Sequence, residues 1–196
     1  NIDAPSELLA EMQRLDTKYS LSSYQYGRNE PVVYEFTQDP AMLHQYYQLR
    51  KTVYDNTFDF GNFDNKEEPY DRLSHILVAR TGKLCVGGCR LTVREGDENW
   101  LLPTEIDGYL FRDLFPELHL NKVRHAEISR FVVVKNYKNE DILSGLYREM
   151  YSKVINYNIH YLFASSTYPM ARKWCSVANG FGVKDTKIID HITLPD

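Results

Sequence analysis

Apolar positions along this chain recur in two rhythms, and the switches between them mark the elements. Over residues 5–18, Leu8, Leu9, Met12 and Leu15 fall at helical spacing and predict a short N-terminal helix. The polar tract KYSLSSYQYGRNE follows and reads as a linker or surface arm, setting residues 1–30 apart from a main domain over 31–196. PVVYEFT then predicts a strand. The next helix is announced by Asp39 as N-cap and Pro40 at the first helical position. Within it Leu43, Tyr46, Tyr47, Arg50 and Tyr54 share helical spacing, which places Arg50 on or beside the apolar stripe.

SHILVART and LCVGGCRLTV flank Gly82-Lys83 and predict a β-hairpin with a short turn. A long irregular excursion follows, with one helical turn expected around LFRDLF. RHAEISRFVVV reads as a strand, although it carries Glu127, Ser129 and Arg130. Ile142, Leu146, Met150 and Ile155 mark an amphipathic helix in NEDILSGLYREMYSKVINYNI. HYLFASST is a strand, PMARKWCSVANGFG a helix ending on a glycine, and DTKIIDHITL a closing strand. The predicted order, β-α-β-β-(loop)-β-α-β-α-β, describes an α/β chain of the α+β kind, with a mixed, mostly antiparallel sheet flanked by helices. A doubly wound nucleotide fold fits it poorly, since a hairpin follows the first βα unit and no glycine-rich phosphate loop appears.

Composition narrows the function classes. A chain of 196 residues can bury one sizeable core. A net charge of −4 gives no global basic field for nucleic acid. No apolar run approaches the roughly 18 residues of a membrane span, so no stable membrane insertion is expected. The N-terminus lacks the positive region of a signal peptide. Three cysteines, Cys85, Cys89 and Cys175, do not make a disulfide framework, and CVGGC does not match common zinc spacing. They are expected to be reduced thiols of a cytoplasmic protein. Fifteen tyrosines point to a cleft or interface lined by amphipathic rings.

The charges inside RHAEISRFVVV need an explanation, because burying an unpaired charge costs several kcal/mol. In a regular strand Glu127, Ser129 and Phe131 share one face, while Ile128 and Arg130 share the other. Glu127 and Arg130 therefore meet only if the strand is bulged between them, as strands beside active sites often are. The plainer reading is a Glu–Arg pair at the sheet edge. Arg50, Glu68, Asp71 and Arg90 also arrive where folding does not obviously need them. His75 in SHILV and His125 near Glu127 are either satisfied core histidines or candidate bases. No Ser-His-Asp order with an elbow motif and no i, i+4 histidine pair occurs, so no metal chemistry is expected.

Taken in order, YQLRKTVY, EEPYDRLSHILVA, VGGCRL, LPTEIDGYLFRDLFPEL and EISRFVV make the chain resemble the acyl-homoserine-lactone synthase family and its relatives, the N-acyl amino acid synthases. The resemblance covers roughly residues 32 to 190. It implies the fold of the GNAT-type N-acetyltransferases with a bulged fourth strand, which would bring Glu127 and Arg130 together. It also implies transfer of a fatty acyl chain from the thioester of acyl carrier protein to an amine, with bacterial signalling as the setting. No cofactor is implied beyond the acyl-phosphopantetheine that the carrier delivers. Arg50 looks like the family's helical arginine, Asp71 like the aspartate after its acidic loop, and Arg90 like its strand arginine. Glu127 and Arg130 match its ExSRF motif.

Three departures shift the expected acceptor. Phe60 stands where lactone synthases usually have tryptophan, KEEPYD puts Lys66 and Glu68 in the first two acidic places, and His75 replaces a common aromatic. A cationic sulfonium favours an acidic, aromatic cage. The implied product is therefore an N-acyl amino acid, with an acceptor such as tyrosine. The alternative is a lactone synthase using S-adenosylmethionine, and a rival of another class is a catalytically silent binding module for acyl chains or carrier protein.

On this reading Glu127 is the base, directly or through water, with His75 or His125 in reserve. Backbone N–H groups at the bulge would stabilise the oxyanion. Arg130, Arg50 or Arg90 would hold the acceptor carboxylate or orient the acidic loop of Glu68 and Asp71, with Ser129 and Phe131 beside the substrates. FVVV, YLFA and the Tyr147–Tyr151 helix would line the acyl tunnel. Arg148, Lys153, Arg172 and Lys173 would dock the acidic carrier, unless they are simply solvated helix faces.

Overall fold

The structure, a computed structural model, describes residues 30–56, 64–134, 142–183 and 185–189. The predicted N-terminal helix, Phe60 and the end of the predicted closing strand lie outside the described residues. Residues 185–189, the described start of that strand, carry no regular secondary structure.

Among the described residues five strands form one sheet in sequence order: β1 (Val32–Thr37), β2 (His75–Thr81), β3 (Leu84–Arg94), β4 (His125–Val133) and β5 (Tyr161–Ala164). The first four are antiparallel neighbours, and β5 runs parallel to β4. The mixed, mostly antiparallel sheet is thus as the hydrophobic rhythm predicts. Among the described residues three long helices flank it, α1 (Pro40–Asp55), α2 (Ile142–Asn156) and α3 (Tyr168–Gly180), besides one short α-helical turn at Phe111–Leu114. At the start of α1, the Asp39 side chain accepts from the Ala41 N–H, and Pro40 occupies a position whose N–H would have no partner anyway. The β2–β3 hairpin turns at Gly82, whose φ of 54° a side chain would strain.

Antiparallel register sorts side chains to two faces. Arg90, Thr92 and Arg94 of β3 stand opposite Ser129, Glu127 and His125 of β4, so all six share one face. Leu91 and Val93 stand opposite Ile128 and Ala126 on the other face. The two glycines of CVGGC let both helix layers approach. A Cβ on Gly88 would lie 2.8 Å from the Tyr46 ring of α1, and one on Gly87 would lie 3.1 Å from Ile142 of α2. The main core joins both layers through Tyr46, Leu77, Leu91, Ile128, Leu146 and Met150. A smaller apolar cluster of Leu102, Phe111 and Leu120 supports the 95–124 excursion, where Phe111 stacks on Phe163 of β5 at 4.2 Å.

Two irregularities of β4 shape the site. Gly88 pairs with Val132 but Arg90 pairs with Ser129, so Arg130 and Phe131 together oppose Cys89. That bulge puts Arg130 in the left-handed region at φ 55°, uncommon for a residue with a side chain. Pairing with β5 covers only His125–Ile128, so β4 continues from Ser129 beyond its last paired residue on that side.

Candidate functional site

The site begins in a short 3-10 turn, Pro69–Leu73, just before β2. The Glu68 N–H donates to Asp71 at 2.7 Å in a reciprocal cap, which fixes both carboxylates against the sheet. Arg50 of α1 donates through Nη1 to both Asp71 oxygens at 3.0 and 3.3 Å, and through Nη2 to the Lys66 carbonyl at 2.8 Å. Arg90 of β3 donates through Nη1 to Glu68 at 2.9 Å and Asp71 at 3.0 Å, and through Nε to Ser129 Oγ at 3.0 Å. Arg130 Nε reaches both Glu68 oxygens at 3.0 Å. Residues from four separate stretches of sequence thus form one ion network.

Aromatic rings seal it. The Arg50 guanidinium lies 4.9 Å from the Tyr47 ring centroid, that of Arg90 5.7 Å from Tyr70, and that of Arg130 6.0 Å from Tyr54. Tyr46 Oη donates to the Arg130 carbonyl at 2.8 Å and clamps the bulge to α1. Burial above all pushes the Tyr46 phenol well above its usual range and that of Tyr54 up to about 12, against the lowering pull of the nearby arginines, so both rings stay protonated.

Three guanidiniums share two carboxylates, leaving one positive charge in excess. The surplus is not evenly buried. The Arg50 and Arg90 side chains are 1% exposed and Asp71 0%, whereas Glu68 is 25% and Arg130 35% exposed. The network therefore opens to solvent at Arg130 and Glu68. Burial works to raise the Glu68 pKa, but Arg130, Arg50 and Arg90 outweigh it and hold the carboxyl below its ordinary value.

Glu127 belongs to the same face but to a different set of partners. It is buried, and its oxygens accept from the Thr104 N–H at 3.0 Å and from Thr104 Oγ1 at 2.9 Å. Burial pushes its pKa above the usual carboxylate range even though the Thr104 donors and the Arg90 charge oppose the shift. No hydrogen bond or ion pair joins Glu127 to Arg130, so the meeting expected from the bulge does not occur among the described residues. The bulge falls after Ser129 and turns Arg130 toward Glu68 instead.

The two histidines are placed apart. His75 pairs across the sheet with Leu91, hence on the face away from Glu127, where it packs edge-on against Phe36 and Tyr157. A base role for His75 beside Glu127 does not fit that position. His125 does share the face of Glu127, with Nδ1 3.0 Å from the Val123 carbonyl. A carbonyl only accepts, so Nδ1 carries the proton. Burial lowers the His125 pKa. His125 lines a cavity of about 260 Å³ with Arg94, Glu98, Glu105 and Arg112.

Phe131, just past the bulge, packs edge-on against Trp174 of α3 at 5.1 Å. Of the basic residues expected to dock a carrier, Arg148, Arg172 and Lys173 are exposed. Lys153 instead lies 4.1 Å from the Tyr157 ring and 4.8 Å from Phe36, and Arg148 pairs with Glu149. Cys85 and Cys89 are buried free thiols, and burial pushes Cys85 up to about 12.

Sequence reading passed over three residues. Thr104 holds Glu127, Ser165 hydrogen-bonds Thr104 at 2.8 Å, and buried Glu105 ties Arg94 to the Leu102 and Phe111 N–H groups. All three hydrogen-bond across gaps in sequence. The signal available was the PTE start of a turn, where Pro103 leads a capped 3-10 segment. Among the described residues no group of three or more His, Cys, Asp or Glu side chains is arranged to hold a metal ion, and no helix is long and apolar enough to cross a membrane.

Comparison with known proteins identifies the fold. The structure superposes on that of FeeM, an N-acyl amino acid synthase from uncultured soil microbes, with a TM-score of 0.60 at 12% identity over 74% of this chain and 77% of that one. The acyl-homoserine-lactone synthase LasI gives 0.55 at 16% identity, covering 76% and 78%. Glucosamine-6-phosphate N-acetyltransferase from Arabidopsis thaliana gives 0.52 at 9% identity, covering 85% and 100%. At these identities the likeness is one of fold. No curated protein matches the sequence. The sequence model of the acetyltransferase (GNAT) domain matches residues 49–148, a stretch running from α1 through the ion network and β4 into α2, and the chain belongs to that family of acyltransferases.

Proposed function

We propose that this protein is an N-acyltransferase that moves a long-chain fatty acyl group from acyl carrier protein to the α-amine of an amino acid, with tyrosine the acceptor to test first. The observation that carries the reading is the surplus positive charge opening to solvent at Arg130, three residues beyond buried Glu127. A free amino acid brings a carboxylate to match an arginine and an ammonium that must lose a proton, and the site offers a group for each. FeeM, whose fold this chain shares, is an N-acyl amino acid synthase, which agrees with the reading.

In this mechanism the acceptor carboxylate sits at Arg130, with Arg50 and Arg90 fixing Glu68 and Asp71 behind it. The acyl-phosphopantetheine enters where β4 runs on beyond its pairing with β5, beside Phe131. Glu127, its pKa raised by burial, takes one proton from the α-ammonium. The neutral amine attacks the thioester carbonyl, and backbone N–H groups at the Arg130–Phe131 bulge stabilise the oxyanion. Collapse breaks the C–S bond and releases the pantetheine thiolate, which takes back the proton held by Glu127, while the second proton of the former ammonium leaves the nitrogen for solvent and the neutral amide forms. A catalytically silent binding module would not need this buried acid.

Lactone synthesis from S-adenosylmethionine is less well supported. The rings of Tyr47, Tyr70 and Tyr54, which could face a sulfonium, already lie over Arg50, Arg90 and Arg130. Product mass spectrometry after mixing the protein with palmitoyl acyl carrier protein, a pool of amino acids and S-adenosylmethionine decides between the readings. An acylated amino acid is the expected product. An acyl lactone with methylthioadenosine would transfer the case to the alternative, and absence of thioester turnover would favour the binding module.

A further inference from the structure

Glu127 has no route of its own to a substrate, because it is 1% exposed and both oxygens are engaged by Thr104. The chemistry of the bonds fixes the direction of a chain leading outward. An ionised carboxylate only accepts, so Thr104 Oγ1 gives its single proton to Glu127 Oε1 at 2.9 Å. The 2.8 Å contact between Thr104 and Ser165 must then have Ser165 as donor. Every hydroxyl therefore points its proton toward Glu127, and the last oxygen, Ser165 Oγ, has a lone pair free to accept. Ser165 is exposed and follows Ala164, the last β5 residue paired with β4, at the point where the two strands part.

We infer that Ser165 and Thr104 form a hydroxyl relay through which Glu127 deprotonates the acceptor amine. The inference rests on the reading of Glu127 as the base. The α-ammonium donates to Ser165 Oγ, and one proton moves in at each step. The N–H proton passes to Ser165, the former Ser165 proton to Thr104, and the former Thr104 proton to Glu127 Oε1. The amine ends neutral, both hydroxyls are restored with reversed orientation, and Glu127 becomes a carboxylic acid. Running backwards, the chain returns the proton to the departing thiolate. Thr104 acts through Glu127 and is a positioning residue as well as a link, since its N–H also holds Glu127 Oε2.

A loss of turnover alone would not distinguish a relay from a structural role, so the test is a pH profile. Thiol release from palmitoyl acyl carrier protein with L-tyrosine is followed for wild type, Ser165→Ala, Thr104→Val, Thr104→Ser and Glu127→Gln. Ser165→Ala and Thr104→Val are expected to lose about 10²-fold in kcat near neutral pH, within the usual span for a displaced general base. The deficit should close as pH rises past the pKa of the amine, because an amine already neutral needs no base. Thr104→Ser should restore the rate, and Glu127→Gln should share the pH-dependent deficit. Ser165 is exposed, so its variant keeps the inference testable if Thr104→Val fails to fold. A Ser165→Ala profile equal to wild type, or a loss uniform in pH, with Glu127→Gln impaired, would overturn the relay and leave Glu127 as base. Full activity in Glu127→Gln would overturn the reading beneath it and the relay together.

Discussion

The two faces of this sheet are built from the same strands by opposite rules. On the α2 side, Leu91, Val93, Ala126 and Ile128 meet Ile142, Leu146 and Met150 in an ordinary apolar core. On the α1 side, Arg90, Thr92, Arg94, His125 and Glu127 are just as buried, yet polar. Desolvating such groups costs several kcal/mol each unless partners compensate, and apolar residues of the same volume are often the more stable choice. A sheet needing only stability would look like the α2 side on both faces. The polar face is organised around work, and its partners, from the Pro69–Leu73 turn and the 95–124 excursion, exist to keep those charges satisfied.

That contrast can be strained by substitution. Asp71→Ala leaves three arginines with one carboxylate and should destabilise the fold by about 3–5 kcal/mol, read from urea unfolding. Less than 1 kcal/mol would mean that the network is slack. Gly88→Ala places a methyl 2.8 Å from the Leu77 carbonyl and the Tyr46 ring, and should cost about 1–3 kcal/mol. Gly87→Ala has its nearest neighbours, Ile142 and the Val132 carbonyl, at 3.1 Å, and should cost less in the same titration.

The smallest effect is expected in the pH dependence of stability. His75 is kept neutral by burial and by Lys153, so its folded pKa is lowered and stability is lost as pH falls below about 6.5, its ordinary value. His75→Phe should flatten that limb and leave turnover unchanged. Glu68, held low by its arginines, adds a separate loss that begins below about 4.3. Glu127 has the opposite sign. Its raised pKa makes the folded state relatively more stable as pH falls through that value. An unaltered acid limb in His75→Phe would remove His75 from this account.

Much of this was legible in the sequence where the signal is local. Asp39-Pro40 marks the start of α1, and the 2-residue rhythm marks β2 to β4. A polar run inside RHAEISRFVVV pointed to a bulge, but not to its position after Ser129, which depends on register with β3. Arg130 consequently meets Glu68 and not Glu127. Thr104 and Ser165 were illegible because they meet Glu127 only through tertiary folding, from 23 residues before it and, by way of Thr104, from just past the end of β5. His75 read as a possible base because sequence alternation gives two faces without saying which one a residue takes.

The central claim is that the polar face performs the chemistry and the apolar face only supports it. Thiol release from palmitoyl acyl carrier protein with L-tyrosine, normalised to folded protein, compares Glu127→Gln with Leu146→Ala. The account predicts that Glu127→Gln keeps its melting temperature near wild type and loses about 10²–10⁴-fold in turnover near neutral pH. Leu146→Ala should lose about 2–5 kcal/mol of stability and keep its rate per folded molecule. Wild-type turnover in Glu127→Gln would contradict the claim.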